Sequence, residues 1–345
     1  MKEKIEEYLK EKYGDIKNFS FSKYGKGVHG YAYSVVFGKD NEEKRFVLKT
    51  LEPKNFGHDY FSDRAQVFLY ANRVYNNLPK HVKSIDVLAE SDKKLISVGD
   101  AKEFYILMEE AKGEDYFQHL ERIKENNYLT GKDEMKAKLL SDYLFEIHKE
   151  KLSNDILYKR RIRELIGHGE CIMGIIDTYE DVEFTDEEEL IEIAMKSMRF
   201  WKKMRNKGHR LSQVHGDFHP GNIWWRDDDF ILLDRSRGEY GEPADDLSCL
   251  SINYLFYSLL QRNRFEGDFK RLFQIFFNNY IEKTGDREIL SIIQPFYAFR
   301  AIVIANPLFY PNVSNDVRRK LFNFAQNVLA EDEFDIESIG DYIER

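Results

Sequence analysis

The stretch His215-Gly-Asp-Phe-His-Pro-Gly-Asn222 is followed by a short apolar run, Phe230-Ile-Leu-Leu, that delivers Asp234. An acid, an amide five residues later and a second acid at a strand end suit a phosphoryl-transfer site, with one general base and two oxygen ligands for hard cations. Such a string is moderately specific on its own, because His, Asp and Gly are ordinary loop residues. Its weight comes from the order of the rest of the chain. A glycine-rich stretch, Gly25-Lys-Gly-Val-His-Gly30, comes first, Lys49 in the apolar run Phe46-Val-Leu-Lys follows, and Glu242-Pro-Ala-Asp-Asp-Leu247 comes after the octapeptide.

A chain of 345 residues exceeds the usual size of one core, so two domains or one bilobal domain are expected. Fifty-two basic against 61 acidic side chains leave a formal charge of −9. That balance argues against duplex nucleic acid as a partner, which calls for a basic face. Two cysteines, Cys171 and Cys249, give no disulfide framework and suit a reducing compartment. The charged, helical opening carries no leader pattern and no stretch approaches 18 apolar residues, so no membrane partner is expected and the cytoplasm is the expected compartment.

Residues 1 to 13 read as a short amphipathic helix. Phe19–Tyr24, Gly30–Phe37 and Lys44–Leu51 read as strands joined by tight turns, an antiparallel arrangement. Ala65, Phe68, Leu69, Val74 and Leu78 fall at near-helical spacing and predict one long helix over 61–78, stopped by Pro79. Two more strands are expected at Lys94–Ser97 and Glu103–Glu109, after which Gly113 breaks the pattern. From Tyr116 onward the chain reads as mostly helical, with Leu140, Tyr143, Leu144 and Ile147 spaced for one buried face. The acidic run 178–192 reads as a helix start, Thr185-x-x-Glu188 being a capping-box pattern, with a patch for a cationic substrate as the other reading.

The glycine stretch lies between two strands instead of opening onto a helix. Such glycines make a flexible hairpin over phosphates, whereas a dinucleotide fold would place them at a helix N-terminus. An ammonium in an apolar strand is costly unless an anion meets it, and a nucleotide phosphate is the natural partner of Lys49.

Together Gly25, Gly27, Gly30, Lys49, Phe104-Tyr-Ile-Leu-Met-Glu-Glu-Ala-Lys-Gly113, Leu144-x-x-Ile147-His148, His215 to Asn222, Asp234 and Glu242 to Leu247 resemble the protein-kinase-like superfamily. Within it they are similar to the aminoglycoside phosphotransferase (APH)-like family of small-molecule kinases, over residues 20 to 250. The resemblance implies an α+β, bilobal protein-kinase-like fold: a small antiparallel β-sheet N-lobe with one long helix, residues 1–110, and a larger, mainly helical C-lobe, residues 111–345. It implies ATP or GTP with Mg²⁺, Asp217 as the base, and Asn222 and Asp234 as metal ligands. Gly25, Gly27, Gly30 and Lys49 would meet the phosphates. The backbone of Glu109, Glu110 and Ala111 would pair with the purine edge, with Met108 behind it. His215 and Asp246 would brace the loop, and His219 would touch the γ-phosphate or hold the loop. Two departures stand out: Gln66 occupies the place of the glutamate that should pair with Lys49, leaving Asp63 as the nearby acid, and Asp234-Arg-Ser-Arg237 replaces Asp-Phe-Gly.

Only 12 positions separate Asp234 from Asp246, too few for a peptide-binding activation segment, so a hydroxyl of a small molecule is the expected acceptor. Leu165–Gly174 and Arg300–Pro311 hold glycines and prolines that read as shaped turns near an acceptor pocket, or as plain helix ends. Two other readings are a nucleotide-binding regulatory protein of pseudokinase type, motivated by Gln66, and a protein Ser/Thr kinase.

Overall fold

The computed structural model describes residues 1–27, 29–53, 57–235 and 237–344. The chain divides into two compact units, Met1–Met108 and Glu109–Arg345. Val28 of the glycine stretch and Ser236 after Asp234 lie outside the described residues.

The first unit opens with helix α1, Lys2–Tyr13, followed by strands β1, Lys17–Lys26, β2, Gly30–Lys39, and β3, Glu42–Leu51. They form one antiparallel sheet in the order β1-β2-β3. The β2–β3 turn is made at Asp40 and Asn41, which take φ of 51° and 65°, and polar residues of this type tolerate the left-handed conformation best. Gly30 pairs with Leu51, and a Cβ there would collide with the Thr50 carbonyl oxygen, so strand packing alone demands this glycine. A Cβ on Gly25 would meet nothing within 4 Å. The core is built from Ile5, Tyr8 and Leu9 of α1 against Val35 and Phe37 of β2 and Leu95, with Phe46 and Leu48 of β3 packed on it. Lys49 alternates to the other face and stands exposed, so the expected desolvation of its ammonium does not occur. Among the described residues Lys49 makes no hydrogen bond or ion pair.

Helix α2 runs Phe61–Tyr75, three residues short of the expected end. Its C-terminus is set by Asn76, whose side chain pairs with the backbone of Ser84, and by Asn77, whose amide donates to the Arg73 carbonyl. The helix thus ends before reaching the residues next to Pro79. Asp63 accepts from the Tyr60 N–H and closes the N-terminal turn, while Gln66 is exposed. Strands β4, Leu88–Glu90, and β5, Leu95–Ser97, among the described residues pair only with each other.

The strand expected at Glu103–Glu109 is absent: Phe104 to Met108 are exposed and outside any ladder. β-type composition favours a strand but does not supply a partner edge, and β5 spends its ladder on β4. Met108, Glu109, Glu110 and Ala111 consequently present free backbone groups instead of a paired edge.

The second unit begins with β6, Glu114–Asp115, and α3, Tyr116–Asn126, and continues with α4, Gly131–His148, α5, Asp155–Gly167, α6, Ile172–Ile176, and α7, Glu187–Met204. Short strands β7, Ser212–Gln213, β8, Ile223–Arg226, β9, Asp229–Leu232, and β10, Tyr240–Gly241, carry the loops. Helices α8, Pro243–Arg262, α9, Gly267–Thr284, α10, Gln294–Ala305, α11, Asn315–Val328, and α12, Ile339–Glu344, complete it. Helix α8 is buried on nearly every face and packs against α9 and α10, the mark of a central helix. The cap of α7 is Asp186, which accepts from the Glu189 N–H, and not Thr185; the Thr185 hydroxyl instead donates to the Glu189 carboxylate. Cys171 and Cys249 are free and buried. No helix among the described residues is long and apolar enough to cross a membrane.

Helix α1 is stapled by Asp86, which accepts from Tyr8 Oη at 2.6 Å, Lys12 Nζ at 2.7 Å and Ser97 Oγ at 2.9 Å. Burial alone would raise the Asp86 pKa, but the bonds from Lys12, Tyr8 and Ser97 outweigh it and hold the group below the ordinary carboxylate value. A lowered folded-state pKa adds stability above the unfolded value, about 3.9, which is lost as pH falls through the folded value. Asp86→Asn therefore lowers stability at pH 7 by about 1–3 kcal/mol in thermal or urea melts, and the gap to wild type closes below about pH 4. A gap that stays constant from pH 7 to pH 3 contradicts this account.

Candidate functional site

Helix α8 starts at Pro243, whose fixed φ and missing N–H suit the first helical position. Glu242 precedes it, fully buried, and holds Arg210 through Oε1 at 2.7 Å while accepting from Tyr158 Oη at 2.7 Å. Arg210 also reaches Asp286 at 2.8 Å, so the start of α8 is tied to α5 and to the segment after α9. This fixed first turn points Asp246 at the loop that follows β7.

Asp246 is wholly buried. Its carboxylate accepts from the backbone N–H of His215 and of Gly216, each at 2.7 Å, and from His148 Nε2 at 3.1 Å. The other His148 nitrogen faces Tyr280 Oη at 2.7 Å. Burial would raise the Asp246 pKa, but His148 and the His215 backbone hold it low. Gly216 takes φ of 86°, a left-handed turn suited to glycine, and Asp217 emerges from it.

His215 locks the other side of the loop. Its Nδ1 accepts from the Asp217 N–H at 3.2 Å, so Nε2 carries the proton and donates to the Leu233 carbonyl at 2.9 Å. The hairpin β8–β9 turns at Asp227, φ 57°, with Ile223 opposite Leu232. Asn222 and Leu233 are thus adjacent across the ladder, joined by Leu233 N–H to Asn222 O at 3.0 Å, and Asp234 follows at the same open end. Asp234 is exposed and takes a left-handed φ of 55°. Asn222 donates Nδ2–H to the Asp217 carbonyl at 3.0 Å, which leaves its amide oxygen available as a ligand atom. An amide oxygen and a carboxylate are the hard oxygen ligands that Mg²⁺ or Ca²⁺ takes, so the donor set fits a divalent cation.

Asp217 is flanked by His219 and by Arg300, Asp245 and Cys249, none of the last three named individually as a site residue from the sequence. Arg300 of α10, almost fully buried, contacts Asp217 Oδ1 at 2.5 Å, Asp245 Oδ1 at 2.7 Å and the Gly216 carbonyl at 3.1 Å. Oδ2 of Asp217 is left facing His219 Nε2 at 3.8 Å. Burial would raise the Asp217 pKa, yet Arg300, Arg237 and His219 outweigh it and hold the carboxyl below its usual range. Burial lowers the His219 pKa against the pull of Asp217, and its Nδ1 accepts from the Gly221 N–H at 3.0 Å. Asp245 goes the other way: burial raises its pKa despite Arg300 and Arg237. Cys249 Sγ lies 3.9 Å from Asp217 Oδ1, and burial pushes its thiol well above the ordinary value.

The signal for Arg300 was in the sequence: it is a lone charge in the otherwise apolar run Pro295–Ala305, and a buried charge requires a partner. The stretches 165–174 and 300–311 serve partly as helix ends. Gly174 is required because a Cβ there would collide with the Gly169 backbone, a packing reason.

Removing the Asp246 carboxylate leaves the His215 and Gly216 N–H groups buried without an acceptor, about 1–3 kcal/mol each. Asp246→Ala accordingly lowers the urea midpoint well below that of wild type, and an unchanged midpoint contradicts the anchoring role.

A family model described as a phosphotransferase enzyme family, APH, matches residues 29–274, well over half of the chain. Among solved structures, the chain is similar to an amicoumacin kinase in complex with AMP-PNP and Ca²⁺, 14% identical over 97% of each chain with a TM-score of 0.44. It is similar also to the aminoglycoside phosphotransferase APH(4)-Ia in ternary complex with AMP-PNP and hygromycin B, 13% identical over 94% of this chain and 97% of that one, TM-score 0.39. A Plasmodium vivax ethanolamine kinase is 15% identical over 97% of this chain and 84% of its own, TM-score 0.36. No curated protein matches the chain in sequence. With a family match that spans the end of the glycine stretch, the whole His215–Asn222 loop, Asp234 and Asp246, the chain belongs to the APH phosphotransferase enzyme family.

Proposed function

We propose that this phosphotransferase moves the γ-phosphoryl group of ATP, or of GTP, to a hydroxyl of a small molecule. The observation that carries the reading is the placement of Asp217, Asn222 and Asp234 by one hydrogen-bonded loop and one hairpin. The acceptor oxygen attacks the γ-phosphorus, the bond to the β,γ-bridging oxygen breaks, the nucleoside diphosphate leaves, and the hydroxyl proton passes to Asp217. A carboxylate held as acidic as Asp217 is a weak base. It orients the hydroxyl in the ground state and takes the proton late, once the oxygen has bonded to phosphorus and its proton has become acidic.

Asn222 and Asp234 would hold a divalent cation such as Mg²⁺, which when bound neutralises charge on the phosphates. Arg300 keeps Oδ1 of Asp217 engaged, so Oδ2 is the atom offered to the acceptor. Gly25, Gly27 and Gly30 would cover the phosphates and Lys49, exposed on its strand, would meet them. The unpaired backbone of Glu109 to Ala111 would receive the base, with Met108 behind it. His215 and Asp246 support the loop without reacting.

Asp217→Ala is expected to lose about 10³-fold or more in Mg–ATP turnover while remaining folded, since positioning and charge stabilisation carry most of this chemistry. Asp234→Ala is expected to lose the Mg²⁺-dependent rise in melting temperature that ATP gives to wild type. Turnover at the wild-type rate in the first variant contradicts the assignment of Asp217. A nucleotide binder without transfer is the second reading, favoured by Gln66, which stands exposed where a carboxylate partner for Lys49 was expected. Nucleotide-dependent stabilisation with no product from any acceptor selects that reading.

A further inference from the structure

Helix α7 carries two apolar stripes where a helix at the surface needs one. The inner stripe, Leu190, Ile193, Phe200 and Met204, is buried in the core of the second unit. The outer stripe is Ile191, Met195 and Met198, which stand 41%, 61% and 50% exposed. Large apolar side chains left singly in water are ordinary, but three in line on one face of one helix form a surface that gains by being covered.

This stripe runs into charge at both ends. Glu188, Ile191, Met195, Met198 and Lys202 follow one another at spacings of three, four, three and four residues, the seam of a heptad repeat. Glu192 and Arg199 flank the seam at equivalent positions, one heptad apart. The acids thus sit toward the N-terminal end and the bases toward the C-terminal end. Neighbouring charges are matched within the chain: Glu189 holds Arg319 at 2.6 Å, Lys196 holds Glu192 at 3.0 Å, and the Lys203 ammonium donates to the Asp332 carbonyl at 2.9 Å. Among the described residues Glu188, Arg199 and Lys202 make no ion pair.

A seam that is acidic at one end, apolar in the middle and basic at the other is complementary to itself run in reverse. When two copies of α7 are laid antiparallel about a two-fold axis at Met195, Glu188 of each meets Lys202 of the other, and Glu192 of each lies beside Arg199 of the other. Met195 then packs on its own counterpart, and the opposed helix dipoles attract. Parallel pairing would set acid on acid and base on base, which costs free energy at both ends. We propose that this outer face of α7 is the contact through which the chain pairs with a second copy of itself, as an antiparallel, two-fold dimer. A helix of 18 residues, about 27 Å long, makes a contact at the small end of specific interfaces, so the dimer forms reversibly, with a Kd of about 1–100 µM.

Sedimentation equilibrium of the full chain over about 2–500 µM tests this directly. The expected result is a monomer that shifts to twice its mass as the concentration rises. Met195→Asp sets two carboxylates face to face at the axis and should keep the chain monomeric throughout; because Met195 is exposed, the variant melts at the wild-type temperature under dilute conditions. Glu188→Lys and Lys202→Glu each make both end contacts repulsive and should weaken pairing by about tenfold or more. An equimolar mixture of these two variants makes every end contact attractive again and should recover pairing. A wild-type chain that stays monomeric at the highest concentration overturns the proposal and leaves the face to a different partner. Association that Met195→Asp leaves intact puts the contact on another face and overturns it equally. So do single charge variants that pair as wild type does, or that fail to recover on mixing.

Discussion

A single buried carboxylate, Asp246, holds the loop from His215 to Asn222 in place. Taking an acid out of water costs several kcal/mol unless its oxygens are fully hydrogen-bonded, and here they receive two backbone N–H groups and an imidazole. Satisfying that one group requires the first turn of α8, the last residue of α4, Tyr280 of α9 and the turn at Gly216 to be in register together. The loop is therefore held by an obligation of the core and needs no ligand to shape it.

From the loop the restraint spreads through a chain of short hydrogen bonds. His215 passes it to Leu233, and the β8–β9 ladder passes it to Asn222, so the residues flanking both candidate metal ligands are fixed by backbone bonds. Asp217 takes its last restraint from a distant element, Arg300 of α10, which ties the carboxylate to Asp245. The pair of acids and the guanidinium are close enough that none can move alone. A group so restrained would lose little further freedom if an acceptor bound beside it as proposed, the kind of preorganisation on which phosphoryl transfer depends.

Much of this was legible in the sequence because it is local. The octapeptide holds its own glycine turn and its acid and amide at a fixed separation, and Phe230-Ile-Leu-Leu is a strand in any context that offers a partner. The Gly25–Gly30 hairpin and the three strands around it followed from alternation and turn residues. Features set by distant partners were not legible. Arg300 meets Asp217 across 83 positions, and nothing local to either names the other. The exposure of Lys49 depends on which face of β3 the α1 core covers, and apolar neighbours on both sides hid it. Residues 103–109 have strand composition but no edge to join, and Asp186 replaced Thr185 as a cap through a shift of one residue.

The most direct measurement of the central constraint is amide hydrogen exchange at His215 and Gly216, followed residue by residue by NMR in the absence of any ligand. Both N–H groups are bonded to a carboxylate with no access to water, so they are expected to exchange only through global unfolding, as slowly as the amides in the middle of α8. Exchange as fast as that of the exposed turn at Asp227 and Asp228 would mean that the loop opens on its own and that Asp246 does not hold it.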